Sequence, residues 1–203
     1  MNREESNHSI GNEDGQEEDL DEASVTEARN KFLMALKGSF WELFEVNQIS
    51  GDSLILLMQA ANFYIDNAGQ RMNSWEFISM GLINKQYMNT LFKLKFTPLI
   101  GRIARNLLFN HISSAYDIVI GYIESHEKAE AIFRQFPLDE RIITEIVTES
   151  NESKESAERY LHNYLTVSFP EITQQIQNKK AATTVLEQQK SQLFKKIKSF
   201  LIS

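Results

Sequence analysis

Apolar residues recur at helical spacing in successive segments along most of the chain. A capping-box pattern at Ser24-Val-Thr-Glu27 predicts the start of a first helix, which carries Phe32 and Leu36 on its apolar side and ends near residues 48–51. A second helix is predicted from about Asp52 to Ala68. Apolar and polar residues nowhere alternate for long enough to predict a β-strand.

The middle of the chain shows two further helical segments. Asn73-Ser-Trp-Glu76 predicts the start of a helix that reaches about Leu94. Thr97-Pro98 then predicts an N-cap and a first helical position, and the helical period continues from there to Phe133. This second segment is therefore expected to be one long helix.

The last third is divided by a polar stretch and by a proline. Leu138-Asp139 predicts the start of a short helix, and the acidic run from Glu149 to Glu155 is interpreted as a polar hinge with a solvated face. A helix with an apolar stripe follows the hinge. Ser168-Phe-Pro-Glu171 then predicts a corner, with a capping serine and a long C-terminal helix that begins at the proline.

The composition supports a helical fold. Only 8 glycines and 3 prolines occur in 203 residues, which argues against an all-β chain with many turns. We predict an all-α bundle of about seven helices. Its expected divisions are a disordered acidic arm at 1–23, a helical domain at 24–170 and a long C-terminal helix at 171–203.

Charge is distributed unevenly along the chain, whose net charge is −7. Residues 1–27 hold ten acidic side chains and one arginine, whereas residues 179–203 hold six lysines and one glutamate. The acidic arm has too few large apolar side chains to offset its ordering entropy, so we expect it to be disordered. The alternative is an arm that folds back onto the basic end.

Side chains suited to catalysis or metal binding are scarce. The absence of cysteine excludes disulfides, thiolate zinc sites and cysteine nucleophiles. The four histidines, His8, His111, His126 and His162, match no metal-binding spacing, and no nucleotide-binding or nucleophile motif occurs. We interpret His111 as a hydrogen-bonded interior histidine. The sequence predicts neither an enzyme nor a cofactor.

A basic amphipathic segment lies between the third and fourth predicted helices. Its cations, Lys93, Lys95, Arg102 and Arg105, alternate with phenylalanines and isoleucines, a pattern typical of segments that rest on anionic lipid or in a partner's groove. The interpretation we favour is two core helices with solvated outer charges, because the apolar face is wide. Peripheral membrane contact is the alternative. No apolar run is long enough for a transmembrane segment, and no base-reading module predicts nucleic-acid binding.

The C-terminal helix carries an interrupted heptad pattern. Its apolar positions include Leu186, Leu193, Ile197 and Phe200, which we take as candidate partner-binding residues, and lysine or threonine interrupts the pattern elsewhere. Two interpretations remain open for this face. It packs on its own domain, or it docks onto a partner or onto a second copy in a homodimer.

Short matches in a shared order resemble the cytosolic helical region of plasma-membrane Na⁺/H⁺ antiporters, of the plant salt-tolerance and sperm-type branches. Near the N-terminus, Leu36-Lys-Gly-Ser-Phe-Trp-Glu-Leu-Phe-Glu45 is similar to a family helix, with Phe40 where a tyrosine is usual. The matching positions further along are Glu149, Ser150, Ala157, Leu161, Phe169, Pro170, Val185 and Leu186.

The resemblance implies a non-catalytic regulatory or assembly module that acts by protein–protein contact. Its implied partners are an exchanger or channel subunit, or its own copy, and its implied location is cytoplasmic, at the cytosolic face of the plasma or ciliary membrane. The family's membrane core and its cyclic-nucleotide-binding domain are not found in this sequence, so no transport residue is carried over. The alternative is a helical scaffold unrelated to transport that docks through the C-terminal helix.

Overall fold

The computed structural model describes residues 21–82 and 85–202, and at 85, 187 and 199–202 it describes the backbone alone. No strand occurs within these ranges. The helices are α1 (Glu22–Glu45), α2 (Gly51–Asp66), α3 (Ser74–Leu82), α4 (Lys85–Leu94), α5 (Gly101–Phe133), α6 (Glu140–Tyr160) and α7 (Pro170–Ile202), and a π-helical turn (Leu161–Thr166) joins α6 to α7. The predicted all-α class with a long C-terminal helix is confirmed.

Helix α5 is the centre of the bundle and packs against α1, α2, α4, α6 and the start of α7. Its buried residues follow helical spacing, as in Ala104, Leu108 and Ile112, so one face is continuous with the core. The ring of Phe32 on α1 meets Phe133 at the end of α5, edge to face, with 5.5 Å between centroids. This aromatic contact helps to hold α1 against the C-terminal end of α5.

Two helix starts differ from the prediction. The N-cap of α1 is Asp21, which accepts a hydrogen bond from the Ala23 amide, and Ser24 Oγ donates to Asp21 Oδ2 instead of capping the helix. Helix α5 begins at Gly101, because the chain first folds into a turn in which the Gly101 amide donates to the Thr97 carbonyl. Thr97 and the proline that follows it therefore belong to the turn, and the prediction that they start the helix is wrong.

The predicted polar hinge in the last third is wrong. Residues 149–155 lie inside the uninterrupted helix α6, and Glu149, Ser150 and Ser153 are buried. These residues continue the helical spacing of Ile142 and Ile146, so the polar side chains occupy the inward face of one helix. Glu152 and the later glutamates of this run are exposed, as the sequence suggests.

The corner before α7 combines the π-helical turn with Pro170. Tyr160 stacks on Tyr164 with 5.2 Å between ring centroids, and Thr173 Oγ1 donates to the buried Leu165 carbonyl at 3.0 Å. Ser168 does not cap α7 as predicted, because its Oγ donates instead to the Asn163 carbonyl at 3.5 Å. Residues 1–20 of the predicted acidic arm lie outside the described residues, and the division of the chain into three regions stays a prediction.

Candidate functional site

The outer half of α7 exposes the apolar face that the heptad pattern identified. Leu186, Leu193 and Ile197 are 64%, 60% and 54% exposed. At about 100° per residue their positions fall within about 40° of one another around the helix. The backbone of Phe200 continues this helix, but its side chain lies outside the described residues. The interpretation in which this face packs on its own domain is therefore wrong for Leu186, Leu193 and Ile197.

The inner half of α7 is fastened to the domain. Ile176 is buried, and Lys180 Nζ lies 2.8 Å from Asp117 Oδ1 on α5 and donates to the Gln48 carbonyl at 2.8 Å. Beyond this anchor, Thr184, Gln188 and Ser191 line an open groove of about 940 Å³ between α7, α5 and the turn after α1. The polar side of α7 therefore borders its own domain, while the apolar stripe lies on another side of the helix.

A buried ion pair joins α1 to α6. The guanidinium of Arg29 donates to the Glu149 carboxylate from Nη2 at 2.7 Å and from Nε at 3.1 Å. Glu149 also accepts from the Met72 amide at 3.0 Å. Hydrogen bonding to Glu149 raises the pKa of Arg29 above its ordinary value. The carboxylate thus connects α1, α6 and the loop between α2 and α3.

Hydroxyl and imidazole groups extend this polar network along α6. The Tyr122 hydroxyl lies 2.6 Å from both Ser74 Oγ and Ser153 Oγ, and the Ser153 hydroxyl accepts from the Trp75 amide at 3.2 Å. Burial raises the pKa of Tyr122. These groups are enclosed by the core, so their arrangement fastens helices together and offers no access to a substrate.

Among the described residues the fully buried histidine is His126. Its Nδ1 lies 2.8 Å from Ser150 Oγ, and burial lowers the pKa of His126 to about 3. His111, which the sequence suggested for this role, is half-buried beside the Tyr87 ring, and its buried Nε2 has no hydrogen-bond partner among the described residues. That expectation is wrong. Helical spacing does place Tyr122 and His126 one turn apart on the inward face of α5, but it does not reveal what they contact.

The corner between α4 and α5 is only partly core. Met88, Leu91, Ala104 and Leu108 are buried, as the favoured interpretation requires. Leu99, however, is 92% exposed, and the predicted membrane-surface cations Lys93, Lys95, Arg102 and Arg105 are gathered around the same corner. The interpretation of this segment as two core helices is therefore wrong for the apolar residues of the turn and of the outer side of α5, which are exposed.

Neither a metal-binding cluster nor a helix that could span a membrane is found in the described part of the chain. No group of three or more histidine, aspartate or glutamate side chains among residues 21–82 and 85–202 is arranged to hold a metal ion. None of the helices described has both the length and the apolar character needed to cross a bilayer.

Comparison with known proteins finds similarity to two plant transporters. The chain is 23% identical over 167 residues to sodium/hydrogen exchanger 7 of Arabidopsis thaliana, and 21% identical over 169 residues to sodium/hydrogen exchanger 8 of the same plant. Each match covers 82% of this chain but only 14% and 22% of the respective exchangers. No family model matches the chain.

These matches agree with the general resemblance to Na⁺/H⁺ exchangers that the sequence shows. They run over most of the chain and concern transporters rather than enzymes. The exchanger branch and the absence of a nucleotide-binding domain stay predictions. The distant similarity supports an exchanger-related region over most of this chain.

Proposed function

We propose that the chain is a regulatory or assembly module of a sodium/proton exchanger and that it acts through protein–protein contact. Two curated exchangers support this proposal by their distant similarity to most of the chain. Because the chain spans at most 22% of their length, transport itself is not assigned to these residues. The proposed role is to hold or regulate a partner that transports.

The observation that carries the proposal is the outer half of α7. Leu186, Leu193 and Ile197 form an exposed apolar stripe on a helix that is anchored at Lys180. Stripes of this kind are buried when two helices pack side by side. A helix of an exchanger subunit, or α7 of a second copy in the same assembly, would cover the stripe while Thr184 and Gln188 still face the groove.

Two double variants of the full chain test this contact. Leu186→Asp with Leu193→Asp places charge in the stripe and is expected to abolish capture of a sodium/proton exchanger from membranes of the source cell. Gln188→Asp with Ser191→Asp adds the same charge on the groove side of α7 and is expected to leave capture intact. Circular dichroism should show unchanged helix content in both, because all four side chains are exposed.

Two results of this experiment would contradict the proposal. Capture of no exchanger by the unmodified chain would overturn it, as would capture that both double variants retain. Capture of a partner unrelated to transport, lost only in the stripe variant, would favour the alternative of a scaffold. The comparison of the two double variants does not depend on the stability of the domain, since they differ in the side of α7 that they change.

A further inference from the structure

We propose that the corner between α4 and α5 binds the surface of an anionic lipid bilayer. This lipid-facing corner comprises residues 92–107. The proposal does not rest on the exchanger relationship or on the stripe of α7, because it uses a different part of the molecule and a lipid ligand.

The first observation is a row of exposed apolar side chains. Phe96 is 75% exposed and Ile103 is 60% exposed, and Leu99, Ile100 and Leu107 lie exposed beside them. On α5, Ile103 and Leu107 lie about 100° around the helix from the buried Ala104 and Leu108, on the neighbouring side. The helix is therefore apolar on two sides, and only one of these sides is covered by the domain. Contiguous exposed apolar surface of this kind marks a binding site.

The second observation is the charge around this row. Residues 77–116 contain five cations and no aspartate or glutamate, a net charge of +5 in a chain whose total is −7. The nearest acids along the sequence are Glu76 and Asp117. None of the described ion pairs involves Lys93, Arg102 or Arg105. The corner therefore presents uncompensated positive charge next to apolar side chains.

The third observation is that the corner is held in shape. The Arg105 guanidinium donates to the Lys95 carbonyl at 3.0 Å, and Lys95 Nζ lies 3.7 Å from the centroid of the Phe92 ring. A Cβ added at Gly101 would lie 2.6 Å from that same carbonyl oxygen, so the turn can pack this closely only against glycine. The apolar tips are thus presented by a fixed turn rather than by an extended loop.

These features together fit a lipid headgroup region. Apolar side chains enter the acyl boundary of a bilayer, while flanking lysine and arginine side chains contact anionic headgroups. A second copy of the corner fits poorly, because two surfaces of like charge repel each other when they meet. An anionic bilayer satisfies both the apolar row and the positive charge.

Co-sedimentation of the full chain with vesicles tests the proposal. Vesicles of phosphatidylcholine with phosphatidylserine should bind the protein at low salt, and binding should fall as salt rises because the headgroup attraction is screened. Vesicles of phosphatidylcholine alone should bind it weakly. Lys93→Gln with Arg102→Gln should weaken binding by roughly 25-fold, since each cation near an anionic surface contributes about fivefold.

A matched control separates this corner from the basic C-terminal segment. Lys195→Gln with Lys198→Gln removes the same charge from α7 and is expected to leave vesicle binding unchanged. Leu99→Ser with Ile103→Ser should reduce binding without changing the charge, and its control is Met34→Ser, another exposed apolar side chain on a separate helix.

Three results would overturn the proposal. The first is no binding to phosphatidylserine vesicles at low salt. The second is loss of binding in the α7 lysine variant but not in the variant of Lys93 and Arg102. The third is a concentration-dependent dimer, seen by analytical ultracentrifugation, that the Leu99 and Ile103 variant dissociates while vesicles bind neither form.

Discussion

The buried imidazole of His126 is expected to make the stability of this fold depend on pH. In the folded chain burial lowers the pKa of His126 to about 3, with a smaller contribution from Lys154. In the unfolded chain a histidine has a pKa of about 6.5. At pH values between these two limits the unfolded state binds a proton that the folded state does not bind, so protonation favours unfolding.

The sign and size of this effect follow from the two pKa values. The contribution of His126 is complete above about pH 6.5 and is lost progressively as the pH falls toward about 3. Between pH 7.5 and pH 5 the free energy of unfolding should fall by about 2 kcal/mol, at about 1.4 kcal/mol for each pH unit below the unfolded pKa. This is a large share of the stability of an ordinary domain.

Urea unfolding followed by circular dichroism at pH 7.5 and pH 5 measures this loss. The comparison is with His126→Gln, which leaves the other histidines in place and offers Ser150 a neutral polar neighbour. The variant is expected to be less stable at both pH values, but its loss between them should be smaller by about 2 kcal/mol. Groups that titrate equally in both proteins cancel in this difference.

Equal losses in the two proteins would show that His126 does not contribute to the pH dependence of stability. A direct measurement on the unmodified chain covers the case in which the variant does not fold. The imidazole resonances of His126, followed by NMR from pH 7.5 to pH 5, should not shift. A midpoint near pH 6.5 would show that this ring is open to solvent in the folded protein.

Three further changes test how the helices are held. Glu149→Gln should lower the free energy of unfolding by about 3 kcal/mol in urea titrations, because it removes the buried carboxylate that pairs with Arg29 and leaves only the more exposed Glu145 carboxylate, 3.3 Å from Nη2, as a counter-ion; a loss below about 1 kcal/mol would contradict this. Lys180→Met should speed amide hydrogen exchange in the first half of α7 and cost about 1 kcal/mol or less, since its ion pair with Asp117 is partly exposed; unchanged exchange would show that the anchor is elsewhere. Gly101→Ala should alter amide chemical shifts in the turn before α5, where a carbonyl lies too close for a methyl group, whereas shifts confined to the substituted residue would refute the close contact.

The inward face of α6 shows what helical periodicity can and cannot predict. The spacing of Ile142, Ile146, Ser153 and Ala157 indicates one continuous helix, provided that polar residues are allowed on the buried side. The acidic character of the segment instead suggested a hinge, because a carboxylate is rarely buried without a partner. That partner, Arg29, lies 120 residues away, and no local pattern links the two.

The two exposed surfaces differ in how far the sequence reveals them. The heptad spacing of α7 identified Leu186 and Leu193 before the structure placed them in solvent. The direction of the stripe depends on the anchor at Lys180, which only the tertiary structure defines. At the α4–α5 corner the sequence does not reveal the exposed surface, since Leu99 and Ile103 have the spacing of core residues. They are exposed because Ala104 and Leu108 already occupy the side of α5 that faces the domain.

The proposed function is contact of this chain with a sodium/proton exchanger. Cross-linking mass spectrometry on the full chain, added to membranes of its source cell, tests this most directly. We expect cross-links from lysines on the outer half of α7, such as Lys195 and Lys198, to peptides of an exchanger, and their loss when Leu186 and Leu193 are replaced by aspartate. Cross-links from these lysines only to proteins unrelated to transport, or to no protein, would contradict it.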